Sequence, residues 1–408
     1  MAALLSQPTD PERSVLMSQA PTLDDRAALA AVAEQGRALI LSLQDAGGAY
    51  PASPTFSAYR GFAWLRDGAF IADGMSAAGE IDSATAFFDW CDRALTGCAD
   101  RIERIVAAAA SGAPLADKEM MPARFALDGS VGGSGADGDP EWWDFQLDGY
   151  GLWVWAALEH ARRHGIDAAR WSRGIELTID YLVSSWQRPC YDWWEMHIEE
   201  IHISTLGSVA AGLRDASRAP FLDPARAAAA AGTADAIGEF IRREGIRDGH
   251  LIKWVGSDQV DASLAALVGL LDVIEPSSPL GLATIAELDR QLVVDGGAHR
   301  FLSDTFYGGG QWPLLSCMLG LAHAAAADAD RALALLRWAA GTVRATGSMP
   351  EQVTGHLLDP SFVAEWEERW GPSADPLLWS SAMFIRLAVE LGVVEPTVIG
   401  GAAVGGRA

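Results

Sequence analysis

Cysteine is scarce in this chain of 408 residues: Cys91, Cys98, Cys190 and Cys317 are all there are. None stands in the paired C-x-x-C spacing of a zinc site, and four scattered thiols do not make the framework of a small secreted scaffold. Free thiols in a reducing compartment, and hence a cytoplasmic setting, are expected. Positive charge is short as well. Thirty Lys and Arg face 54 Asp and Glu, a formal net charge of −24, so most of the surface would repel a phosphate backbone and no nucleic-acid partner is expected. No apolar run reaches membrane-spanning length, and the first residues carry neither the basic start nor the apolar stretch of a signal peptide, so no membrane partner is expected either. The period-two alternation of strands is nearly missing. So are the GxSxG elbow and the HExxH zinc motif. Gly133-Ser-Gly-Ala-Asp-Gly fits a dinucleotide fingerprint by letter, but no strand precedes it. His197-Ile-Glu-Glu-Ile-His has the wrong spacing for a metal. Neither metal nor cofactor is expected.

What remains is helical period and long loops. Amphipathic or apolar helical stretches cover 23–44, 66–78, 83–110, 145–164, 168–185, 205–216, 224–244, 262–274, 279–292, 314–327, 329–346 and 377–391. Long segments rich in Gly, Trp, Asp and Pro separate many of them, at 47–63, 115–144, 188–204, 295–312 and 348–375. Long loops on a rigid scaffold are where binding and catalysis usually reside. This pattern predicts an all-α fold of six helical hairpins closed into a ring, an (α/α)6 toroid with the chemistry gathered at one end. An open helical solenoid would show a repeated motif, and none is present. Residues 21–395 read as a single domain, with 1–20 and 396–408 as flexible flanks.

Two glutamates in those loops stand out. Cleaving a glycosidic bond takes one carboxyl group that gives a proton to the leaving oxygen and a second that activates water or attacks the sugar. In Tyr191-Asp-Trp-Trp-Glu-Met, Trp193 and Trp194 would press apolar surface on Glu195 and raise its affinity for a proton, as suits an acid. In Ser348-Met-Pro-Glu-Gln-Val, Glu351 is expected in a polar turn, ionised as a base. The chain has 16 tryptophans. Trp64, Trp142, Trp143, Trp193, Trp194, Trp254, Trp312 and Trp379 sit at or near the long loops, beside acids and arginines. Any single indole is as well read as filling core space, but such a mixture suits a pyranose, with apolar C–H faces and hydroxyl edges. Arg66 and Asp67 open a helix, where Asp67 fits a capping role and the cation Arg66 does not. Gln146 and Asp148 open another, with capping as the competing role.

Seven short motifs occur in order: Trp64-Leu-Arg-Asp-Gly, Gln146-Leu-Asp-Gly-Tyr-Gly, Trp194-Glu, Val260-Asp-Ala-Ser-Leu, Tyr307-Gly-Gly-Gly-Gln-Trp, Pro350-Glu-Gln and Pro376-Leu-Leu-Trp-Ser. From about residue 30 to 392 the chain resembles glycoside hydrolase family 15, the glucoamylase, glucodextranase and trehalase family, in its compact form without an N-terminal β-sandwich. The resemblance implies the (α/α)6 fold and hydrolysis with inversion. Glu195 matches the general acid and Glu351 the general base. Arg66 and Asp67 match the pair on the 4- and 6-hydroxyls of the terminal glucose, Trp142 and Trp194 line the acid side, and Arg300 contacts the sugar. Tyr59 matches the tyrosine that holds the attacking water, displaced by one position. Trp64, Gln146, Asp148, Trp312 and Trp379 complete the expected substrate-binding set. Met196 replaces the second glutamate that follows the acid in many members. The implied activity is an exo-acting α-glucosidase that releases β-D-glucose from short α-glucosides, α-1,6-linked isomaltose and isomaltooligosaccharides first among them. Trehalase or α-1,4 activity is the alternative within the family. A catalytically silent sugar-binding toroid is the alternative outside enzymes, and a terpene cyclase is disfavoured by the missing DxDD and QxxxGxW patterns. The oligomeric state is left open.

Overall fold

The structure is a computed structural model, and it describes residues 23–131 and 145–396. Along the chain run α1 (Leu23–Leu43), α2 (Leu65–Ala77), α3 (Ile81–Gly97), α4 (Ala99–Ser111), α5 (Asp148–His164), α6 (Ser172–Ser185) and α7 (Ile203–Ala216). They continue as α8 (Pro224–Glu244), α9 (Leu264–Gly269), α10 (Pro279–Leu292), α11 (Pro313–Ala325), α12 (Ala329–Ala340), α13 (Val363–Trp370) and α14 (Leu378–Glu390).

Composition sorts these helices into two rings. Every residue of α2 is buried, from Leu65 to Ala77, so this helix has no solvent face and has to be surrounded. α8, of 21 residues, buries only Ala230, Ile237 and Ile241, the single stripe of a surface helix. The buried helices touch in a closed circuit, α2 to α5, α5 to α7, α7 to α9, α9 to α11, α11 to α14 and α14 back to α2. Around them α1, α3 with α4, α6, α8, α10 and α12 each pack on inner neighbours. The expected (α/α)6 toroid is present. Inner helices come close where side chains are small. A Cβ on Gly151 of α5 would lie 2.3 Å from the Ser208 carbonyl of α7, and one on Gly212 the same distance from the Gly151 carbonyl. Backbone contact of that kind needs glycine.

The inner helices run parallel. The starts of α2, α11 and α14 line one pocket, whereas the ends of α5, α7, α9 and α14 line a wide depression elsewhere. The first end therefore collects the positive ends of the helix dipoles and the long loops.

Several boundaries differ from the sequence pattern. The stretch 83–110 is two helices, because Cys98 (φ −98°, ψ 8°) breaks the first and starts the second. The stretch 262–274 shrinks to α9. Asp272 turns left-handed at φ 49°, and Arg214 from α7 donates to the Leu271 and Asp272 carbonyls at 3.0 and 2.7 Å. The helix expected to 346 stops at Ala340. α13 lies within 348–375, expected to be loop throughout. Three small antiparallel ribbons also form. β1 (Phe62–Trp64) pairs with β2 (Arg124–Ala126), β3 (Ile246–Arg247) with β4 (His250–Leu251), and β5 (Val293–Val294) with β6 (Gly297–Ala298). β1 leads straight into α2 and fixes Trp64 and Arg66 in space. No described helix is long and apolar enough to cross a membrane. The expected flank 1–20, residues 397–408 of the expected tail, and Trp142 lie outside the described residues.

Candidate active site

A pocket of about 240 Å³ opens at the N-terminal end of the inner ring. That is smaller than the ~300–1,000 Å³ usual for drug-sized ligands, and it suits a compact polar ring. Glu195 and Glu351 both line it, with Tyr59, Trp64, Arg66, Asp67, Trp194, Arg300, Trp312 and Trp379. These sequence-derived residues thus come from segments as far apart as Tyr59 and Trp379 and meet in one place.

Glu351 is the most enclosed of the acids that line the pocket, only 1% exposed. This corrects the expectation of a polar, open turn. Its carboxyl accepts the Tyr59 hydroxyl at 3.0 Å on Oε1 and the Ser373 hydroxyl at 3.3 Å on Oε2. Its own N–H is held by the Ala374 carbonyl at 2.8 Å. Burial pushes the Glu351 carboxyl up to about 7, and the Tyr59 hydrogen bond and the Arg300 charge keep it from going higher. Burial in the low dielectric disfavours the charged form, and donors to the carboxylate favour it.

Glu195 is held differently. It is partly exposed, and the Trp64 indole N–H donates to its Oε1 at 2.7 Å. Its backbone is left-handed, φ 63°. A tight turn enforces that shape, since Asp192 Oδ1 accepts the N–H groups of Trp194 and Met196, each at 2.9 Å, and the Asp192 carbonyl accepts the Glu195 N–H at 3.0 Å.

Arg66 and Asp67 occupy the first turn of α2, and both are buried, at 5% and 7% exposure. Neither acts as a helix cap. The N-cap position is Trp64, which makes no side-chain capping bond, and Asp67 Oδ2 has no hydrogen-bond partner in the protein. Burial pushes Asp67 up to about 6, against the pull of Arg66. The Arg66 guanidinium bonds Gln146 Oε1 and lies 3.2 Å from Asp148 Oδ2. Gln146 and Asp148, expected to touch ligand, do not line the pocket; they are 2% and 0% exposed and brace Arg66 from behind. They open α5 as expected, but their partner is the arginine. Arg300 is similarly braced by both carboxylate oxygens of Asp304. Its guanidinium carbon lies 5.3 Å from the Trp194 ring centre and 5.0 Å from those of Phe306 and Trp312.

The walls are aromatic. Trp194 faces Trp312 at 5.7 Å and Trp379 at 6.3 Å between ring centres. The indole N–H groups of Trp312 and Trp379 are buried without protein partners, as suits donors kept for ligand hydroxyls. Three aromatic lining residues were missed from sequence, Phe306, Trp366 and Trp370, along with Ala52, Thr305 and Leu377. The two tryptophans stand four residues apart on α13, the helix not expected, and that i, i+4 spacing was the available signal. Trp366 Nε1 donates to the Thr305 carbonyl at 2.9 Å, and Trp370 packs edge-on against Phe56 with ring centres 5.9 Å apart.

Residues 26–358 match the sequence profile of Glycosyl hydrolases family 15. The chain belongs to glycosyl hydrolase family 15. It is 48% identical over 366 residues to an isomaltose glucohydrolase of Kribbella flavida, an alignment that covers 90% of this chain and 94% of that protein. A solved glycosidase in complex with glucose is 47% identical, with a TM-score of 0.89 over 92% of this chain and 100% of that one. A bacterial glucoamylase complexed with acarbose shares the fold at 19% identity, with a TM-score of 0.68 over 90% of this chain and 56% of its own. Three carboxyl groups, those of Asp67, Glu195 and Glu351, line this one small aromatic pocket. The environments of Glu351 and Glu195 differ as two roles require, one sealed and one reachable from the mouth.

Proposed function

We propose that this family 15 enzyme is an inverting exo-α-glucosidase that takes short α-glucosides, isomaltose first, and releases β-D-glucose. The observation that carries the reading is one small pocket lined at once by Glu195, Glu351 and the Arg66–Asp67 pair. In this reading the non-reducing glucose sits with its far hydroxyls on Arg66 and Asp67, whose charged groups make the stronger kind of hydrogen bond. Glu351 takes a proton from a water that attacks the anomeric carbon, while Glu195 gives its proton to the glycosidic oxygen as that C–O bond breaks. The new C–O bond forms on the opposite face, so the product is the β-anomer. Tyr59 orients the base by donating to Oε1. Trp64 fixes the Glu195 rotamer by donating to its Oε1.

The isomaltose preference is supported by the Kribbella flavida relative, which matches nearly full length. A trehalase of Sulfolobus acidocaldarius matches over only 22% of this chain, at 33% identity. Met196 lines the pocket where many members carry an acid, giving the acceptor side an apolar contact that suits the flexible CH2 of a 1,6-linkage. The four cysteines are free, which supports a reducing, cytoplasmic setting, and residues 21–395 form the proposed catalytic unit. Glucose release from a panel of isomaltose, maltose, trehalose, nigerose and kojibiose tests the reading. Isomaltose is expected to have the highest kcat/KM, and a clear preference for maltose or trehalose would refute the linkage assignment.

A further inference from the structure

A buried lysine outside the pocket sits directly behind the turn that carries Glu195. Lys253 lies on the loop between β4 and α9, and its side chain is 1% exposed. The loop is anchored at its backbone: the Lys253 N–H donates to the Gln259 carbonyl at 2.8 Å and its carbonyl accepts the Ile203 N–H at 3.1 Å. The ammonium is 3.1 Å from Asp192 Oδ2, is hydrogen-bonded to Asp261 Oδ2, and lies 3.6 Å from the ring centre of Phe301. Burying an ammonium costs several kcal/mol unless partners compensate it, and here two carboxylates and an aromatic face do so.

Each of those carboxylates has a second task. Asp192 Oδ1 holds the N–H groups on either side of Glu195. Asp261 accepts the Trp194 indole N–H at 2.9 Å on Oδ2 and the Ser263 N–H at 2.9 Å on Oδ1. A glutamate in the left-handed region, at φ 63°, crowds its Cβ against the backbone, so the Glu195 turn needs holding from outside. We propose that Lys253 is a positioning residue for the acid step: by tying Asp192 to Asp261 it fixes the turn that aims the Glu195 carboxyl group at the leaving oxygen. Burial alone would push the Asp192 carboxyl up, and the Lys253 ammonium holds it below its ordinary value. Without the lysine, Asp192 loses its ionic link to Asp261 and the partner that most offsets its burial, its grip on the two N–H groups weakens, and the turn relaxes away from its left-handed shape.

The inference rests on Glu195 being the proton donor, and a pair of substrates separates the two ideas. Isomaltose needs its leaving oxygen protonated; α-D-glucosyl fluoride does not. For Lys253→Met, kcat on isomaltose is expected to fall about 100-fold or more, as for loss of a general acid, while kcat on the fluoride falls less than about tenfold. A lysine that merely stabilised the fold would lower both together. Because Lys253→Met leaves two buried carboxylates uncompensated, Asp192→Asn is measured beside it; it is isosteric, removes the ionic link and is expected to show the same divergence. A parallel fall on both substrates in a folded variant, or no fall on isomaltose, overturns the proposal. Glu195→Gln is the control arm. Full isomaltose activity there would refute the acid assignment itself, whereas an inactive Glu195→Gln beside variants with an unchanged substrate ratio would refute only the role of Lys253.

Discussion

Burial of the Glu351 carboxyl affects activity and stability in opposite senses. It has to be ionised to accept a proton, and burial pushes it up to about 7, so kcat/KM on isomaltose is expected to fall as pH drops below about 7. The Tyr59 hydrogen bond favours the charged form, and therefore Tyr59→Phe is expected to move that acidic limb to higher pH, a shift read from the kcat/KM profile. Stability runs the other way. A carboxyl whose affinity for protons is higher in the folded state contributes stability that is complete below its unfolded value near 4.5 and is lost as pH rises through about 7. The loss by about pH 8 amounts to about 3 kcal/mol. Glu351→Gln keeps the shape and removes the charge, so it is expected to lower turnover by orders of magnitude and to raise Tm at about pH 8, with the Tm gain fading toward about pH 4.5. Melting curves at both pH values check this. The glutamates were legible in sequence because Trp-Trp-Glu and Pro-Glu-Gln carry chemistry in adjacent residues. The burial of Glu351 was not, because the groups that enclose it come from elsewhere, with Tyr59 separated from it by 292 positions. Gln146 and Asp148 failed in the same way: their types and helix position could be read, but not that Arg66 would stand between them and the ligand.

α13 is the element that sequence reading missed, and the reason is physical. It is a two-turn amphipathic segment, Val363–Trp370, bounded by the turn of Pro360–Phe362 and by Gly371, too short for a helical period to emerge from the loop composition around it. None of its residues is fully buried, and it packs on Phe306–Gly308 and Pro360–Phe362, so little of the ring depends on it. Its two indoles nonetheless line the pocket. Trp370→Ala is accordingly expected to raise KM for isomaltose by about tenfold, the loss of one aromatic contact of ~1–1.5 kcal/mol, while Tm changes by only a few degrees. Steady-state kinetics and a melting curve on the same preparation check it. An equal fall in Tm and in activity would place Trp370 among the fold's supports instead. The long inner and outer helices were legible because burial on one face or all round writes a period over many residues; their ends shifted where a distant side chain, as Arg214 does for α9, satisfied the last carbonyls early.

At the scale of the molecule, closing six inner helices into a ring brings their positive ends and their longest loops to one side, and that geometry turns isolated motifs into a site. Trp64 from the end of β1, Arg66 and Asp67 from α2, Trp312 just before α11 and Trp379 from α14 meet Glu195 and Glu351 there. The toroid was legible as twelve helical stretches with long loops between many of them, although not the six short strands among the described residues. The proposed inversion requires that Glu351 activate a water while Glu195 protonates the departing sugar. Proton NMR of the earliest phase of isomaltose hydrolysis tests it most directly, because the anomer formed is read before mutarotation scrambles it. Inversion requires an early excess of β-glucose over its equilibrium share, because the non-reducing glucose is freed as the β-anomer while the reducing-end glucose leaves as the α/β mixture already present in isomaltose. An early excess of α-glucose over that share would mean a covalent intermediate and retention, and would contradict it.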